Sequence, residues 1–93
     1  MIKLVEVIQS ETKSFTLHEV WINEEYVVKV ESAPAYTRFL AEGRLPPDLG
    51  ANHEFSRVTL SEGQRSAVHV VVGDVGTIAS KVDSRPAPGL LRG

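Results

Sequence analysis

A chain of 93 residues can build one hydrophobic core. A folded monomer of that mass buries roughly 64% of the surface its open chain exposes, which leaves no room for a second domain or a deep enclosed cleft. The absence of cysteine excludes disulfides and every thiolate metal site. A net charge of −2, with Lys and Arg scattered along the chain, provides no basic run to follow a phosphate backbone.

No apolar run reaches the roughly 18 residues needed to span a bilayer. "MIKLVEVIQ" carries charges inside its apolar run and reads as a strand rather than a signal segment, so a cytoplasmic location is expected. Within it Ile2, Leu4 and Ile8 share one face, interrupted by Glu6, and Val5 and Val7 share the other with Lys3. "QSETKS" is a polar turn. "FTLHEVWI" alternates again, with Phe15, Leu17, Glu19 and Trp21 on one face and Thr16, His18, Val20 and Ile22 on the other.

"VWINEEYVVKVE" reads as strand, tight turn, strand. Asn23 can accept a hydrogen bond from the backbone two residues on, which nucleates the turn. Tyr26, Val28 and Val30 are expected on one side of the second strand, and Val27, Lys29 and Glu31 on the other. In "SAPAYTRFLAEG" the period changes. Ser32 is a candidate cap, Pro34 suits a first turn, Tyr36, Phe39 and Leu40 recur at helical spacing, and Gly43 is a natural helix stop. A helix of two turns is marginal alone and must dock that apolar edge. "RLPPDLGANHE" reads as a loop.

"FSRVTL" and "SAVHVVV" are strands about a turn at Glu62-Gly63, with Phe55, Arg57 and Thr59 facing one way and Val58 and Leu60 the other. Asp74 caps "VGTIASKV", whose Val75, Ile78, Ala79 and Val82 form a stripe for the core. Residues 1–82 are thus one β-rich domain, and 83–93, rich in Pro and Gly, read as a disordered tail. The order β-β-β-α-β-β-α predicts a mainly β, α+β fold: a small bent five-stranded sheet or an SH3-like or Sm-like barrel with two short helices.

"MIKL", "VWINEEYVVKVE" and "RVTLSEGQ…HVVVGDVGTIASKV" together resemble the FlbD-type small flagellar proteins, over about half the chain. Trp21, Ile22 and Asn23 fall on that family's aromatic-Leu-Asn turn, Thr59 and Gly63 near its hairpin, and Val72 to Val82 on its strand-to-helix close. The segment "SAPAYTRFLAEGRLPPDLGANHE" is additional to the family pattern. The resemblance implies a small, non-enzymatic protein linked to motility.

Chemistry-bearing groups are few. His18-Glu19 and His53-Glu54 are adjacent pairs, and neighbours on a strand point to opposite faces, so neither builds a shared metal site. Ser66 and His69 fall on opposite faces too, which denies a serine its base. Gly73-Asp74-x-Gly76 lacks the Lys-Ser/Thr ending of a phosphate loop and reads as a helix cap. No metal and no cofactor is expected. The leading expectation is a non-catalytic interaction module that binds itself or a protein partner through Trp21, Tyr36, Phe39 and Leu40. "IKLVEVI" and "SAVHVVV", the flattest and most apolar strands, are the expected edges for homo-oligomer pairing. The alternatives are an RNA-binding small barrel using Lys29, Arg57 and Arg65, and a small metal-dependent enzyme around His18 and His69.

Overall fold

The computed structural model describes residues 1–50 and 53–83. Five antiparallel strands form one open sheet: β1 (Ile2–Gln9), β2 (Phe15–Ile22), β3 (Val27–Ser32), β4 (Phe55–Glu62) and β5 (Arg65–Val72). Helix α1 (Pro34–Ala41) follows β3, and helix α2 (Val75–Val82) follows β5. The mainly β class and the element order are those the residue patterns predict, and of the two architectures the bent sheet is the one found. The spatial order is β2-β1-β5-β4-β3, so β2 and β3 are the edges. The expectation that β1 and β5 form the edges is corrected. They are the most apolar strands because they lie inside the sheet, and an interior strand covered on both faces loses its alternation.

Strands β2 and β3 are consecutive in sequence yet occupy opposite edges. In a flat sheet the four intervening gaps would separate them by about 19 Å. Their connection is Asn23 and a single 3₁₀ turn, Glu24–Tyr26, which spans about 13 Å at 2.0 Å rise per turn residue and 3.3 Å for each flanking link. The sheet must therefore curl until its edges approach. Asn23 starts the turn as its chemistry dictates, with the Glu25 amide donating to Oδ1 at 3.0 Å and the Tyr26 amide donating to the Asn23 carbonyl. Trp21 and Val28 thus belong to separate strands.

Each face of the curled sheet carries its own core. The concave face packs Leu4, Ile22, Val58 and Val71 under Ile78 of α2, with Ile2, Val20, Val27, Val30 and Leu60 around them. The other face packs Val7, Phe15 and Phe55 under Ala33, which precedes α1, and under Tyr36, Phe39, Leu40, Leu45 and Leu49 of α1 and its following loop. The facing read from the residue order holds on β1, β2 and β4. On β3 it fails, because the register with β4 shifts between Val27 and Lys29. That bulge puts Val27 and Val30 in the concave core together and leaves Val28 64% exposed.

Local details decide the helix ends. Ser32 completes β3, and Ala33 occupies the α1 cap position without a side-chain bond, so the expected Ser32 cap is not formed. Gly43, at φ +75°, ends the helix, its amide donating to the Leu40 carbonyl while that of Arg44 donates to Phe39. The segment read as a loop contains a second 3₁₀ turn at Pro47–Leu49 and a buried Leu45. Ser56, fully buried, donates from Oγ to the Gly73 carbonyl at 2.8 Å, which satisfies the only buried polar side chain among the described residues. Asp83 closes α2, and the expected tail beyond it lies outside the described residues.

Candidate functional site

Helix α2 covers only part of the concave face. Beyond it, toward the β4–β5 turn, the curl leaves an open groove of about 1000 Å³. Val20 and Ile22 of β2, Leu60 of β4 and Ala67 and His69 of β5 line it from the strands, all on the concave face by register. Met1, Trp21, Asn23 and Tyr26 line the end formed by the β2–β3 corner. Glu62, Gln64 and Arg65 line the end formed by the hairpin, where Gly63 takes the left-handed φ of +64° that a two-residue turn requires at its first position. The groove therefore exists because two features meet: a corner too short for a flat sheet, and a helix too short to fill the hollow.

Exposed apolar side chains border the groove, Met1 and Tyr26 at its end and Trp21 at its edge, the indole standing on the same face of β2 as Phe15. Trp21 is 61% exposed, Met1 70% and Tyr26 38%. Lys3 Nζ lies 6.0 Å from the Trp21 ring centre on the neighbouring strand. The rim carries both charge signs, with Glu62 opposite Arg65 across the hairpin.

One polar pair lies deeper. His69 Nδ1 and Glu6 Oε2 are 2.6 Å apart, both partly buried, with His69 on the groove wall. The pair crosses the seam between β1 and β5, where Glu6 with Val71 is the single register match. Residue patterns showed Glu6 only as an interruption of an apolar face. The usable signal was a second interruption, His69, at the matching place on another strand: two polar side chains on one buried face are satisfied when they meet.

The four residues expected to form one partner surface do not lie together. Tyr36, Phe39 and Leu40 dock on the opposite face, where Phe39 stacks on Phe15 at 5.5 Å, and Tyr36 meets Phe15 edge-on at 5.9 Å and Phe55 at 6.1 Å. The Arg44 guanidinium covers the Phe39 ring at 4.3 Å. These side chains are half-buried core, since an eight-residue helix holds its place only by such packing. Trp21 stands six residues from Phe15 along β2, about 20 Å away. Of the predicted set only Trp21 borders the groove, with its side chain on the face of Phe15.

The basic residues of the RNA reading are also divided. Lys29 and Arg57 point to the α1 face, with Lys29 Nζ 3.5 Å from Glu31, while Arg65 lines the groove on the other side. They form no continuous track. His18 is exposed on the edge strand β2, its Nε2 3.1 Å from Thr16 Oγ1, two strands away from His69. Among the described residues no group of three His, Asp or Glu side chains could hold a metal ion. Ser66 pairs with Ser61, on the face away from His69.

Asp74 at the start of α2 accepts a hydrogen bond from the Thr77 hydroxyl, and chiefly this bond holds its carboxyl below the ordinary 3.8. It lies outside the groove and acts on the helix. No helix among the described residues is long and apolar enough to cross a membrane. No family model matches the chain, and neither a curated protein nor a solved structure gives a significant match.

Proposed function

We propose that the chain is a non-catalytic interaction module whose concave groove receives an extended, apolar segment of a protein partner. The observation that carries this reading is the exposure of Met1 and Tyr26 at the end of a floor of Val20, Ile22, Leu60 and Ala67, inside a rim of Trp21, Asn23, Glu62, Gln64 and Arg65. An apolar centre within a polar rim is the anatomy of a protein–protein interface, and aromatic side chains supply much of the energy at such surfaces. The volume suits a few side chains of a bound strand rather than a whole domain. His69 serves this reading as a polar anchor on the wall, fixed in orientation by Glu6.

The test is selection of peptides from a random library on the purified chain, followed by binding to the Ala67→Glu variant. Ala67 is exposed on the groove wall, so a glutamate there fills the hollow at little cost to the core. Selected peptides are expected to carry two or more apolar side chains at alternate positions and to lose at least about tenfold in affinity for the variant, as burying an unpaired carboxylate would require. Peptides that bind both proteins equally would place the interface elsewhere.

A further inference from the structure

The two sheet edges are not equivalent. Strand β3 carries the devices that keep an edge from pairing: a bulge at Val27–Lys29, and two charged side chains, Lys29 and Glu31, in six residues. Strand β2 has fewer of them. It runs eight residues without bulge or proline, matches β1 at every position from Ile2 with Ile22 to Gln9 with Phe15, and carries one formal charge, Glu19. Its outer backbone groups form a regular template.

We infer that β2 is the homodimerisation strand, pairing antiparallel with the β2 of a second copy about a two-fold axis at His18. The inference deepens the interaction-module reading by naming a partner and a second contact surface, and it rests on that reading for its non-catalytic character. The self-complementarity of the strand selects both occupant and register. Side chains facing each other across a continuous sheet lie on the same face, so opposed positions on β2 must sum to an even number. An axis at Glu19 sets two carboxylates directly opposite, which is unfavourable. An axis at Leu17 leaves Trp21 beyond the partner strand. An axis at His18 sets Phe15 against Trp21, Leu17 against Glu19 and Thr16 against Val20, with no like formal charges opposed. It also brings each indole, 61% exposed in one copy, beside the Phe15–Phe39–Arg44 stack of the other. Pairing of β2 with β3 of another copy would be heterologous and would grow into filaments, and the β3 bulge opposes it.

The chain contains no cysteine, so single-cysteine variants of the full chain report the register directly. Opposed Cβ atoms in an antiparallel pair lie about 4.5–5.5 Å apart, close to the spacing a disulfide spans. Sedimentation equilibrium of the wild type is expected to give a dimer. Under mild oxidation His18→Cys should cross-link rapidly, Glu19→Cys more slowly from its diagonal position, and Lys29→Cys on β3 least. His18→Lys, which opposes two ammonium groups on an exposed strand, should weaken self-association about tenfold with an unchanged circular dichroism spectrum. A wild-type monomer at high concentration, concentration-dependent filaments, or faster cross-linking through Glu19→Cys or Lys29→Cys would overturn the inference. Peptide binding lost in Ala67→Glu while the wild type stays monomeric would leave the groove reading standing and remove this one. A dimer cross-linked at position 18 with no groove-directed peptide would do the reverse.

Discussion

Replacing Ile78 by alanine tests whether α2 is held to the sheet as the packing indicates. Ile78 is the only buried residue of α2, 1% exposed, and it sits on Leu4, Val58 and Val71 from three different strands. The substitution removes three carbons, worth about 2.4 kcal/mol at 0.8 kcal/mol each. A cavity term adds to this, kept small because a two-turn helix at the surface can settle toward the gap. The expected loss is about 3 kcal/mol, equivalent to a fall in Tm of roughly 12–24 °C for a domain of this size. Urea denaturation should show a lower midpoint with an unchanged m value, since a docked helix still buries its surface. Ser80→Ala on the exposed side of the same helix should stay within about 0.5 kcal/mol. A loss below about 1 kcal/mol for Ile78→Ala would mean that α2 does not cap the concave core. A reduced m value would mean that the helix undocks altogether.

Three further outcomes follow from the same geometry. Asn23→Ala deletes the bond from the Glu25 amide and should cost about 1 kcal/mol by thermal melting, comparable to loss of a helix cap; a neutral result would show that the corner does not depend on that side chain. In a double-mutant cycle on Glu6→Ala and His69→Ala, a coupling of about 1 kcal/mol is expected from urea melts at neutral pH, and additivity would show that the seam holds without the pair. Asp74 has its carboxyl lowered in the folded state, so its contribution is present above the ordinary 3.8 and is lost as pH falls through the lower folded value. Asp74→Asn should therefore flatten the decline of Tm on acidification below about pH 4, and an unchanged acid limb would contradict the Thr77 contact.

The elements were legible in the residues because their signals are local. Alternation fixed β2 and β4, β-branched apolar runs bounded by turn residues fixed β1 and β5, the Tyr36/Phe39/Leu40 spacing fixed α1, and the Val75/Ile78/Ala79/Val82 stripe fixed α2. What escaped were relations between distant segments. Nothing within "VWINEEYVVKVE" says that its two strands lie at opposite edges, since that follows only from β1 pairing with β5. The bulge at Val27–Lys29 is a property of β3 against β4, so the facing of Val28 could not be read from β3 alone. The candidate site suffered most. Tyr36 and Phe39 carry the same aromatic chemistry as Trp21 and Tyr26, and only the docking of α1 on Phe15 and Phe55 decides which rings are core. The groove itself is a hollow left by curvature and a short helix, with no motif of its own.

The most direct test of the groove as the binding surface is amide chemical-shift mapping of the ¹⁵N-labelled chain with a library-selected peptide. The expected result is a contiguous set of shifted or broadened amides at Val20, Ile22, Tyr26, Leu60, Ala67 and His69, with Tyr36, Phe39 and Leu40 unmoved. Shifts confined to α1 and the Phe15–Phe55 face would contradict it.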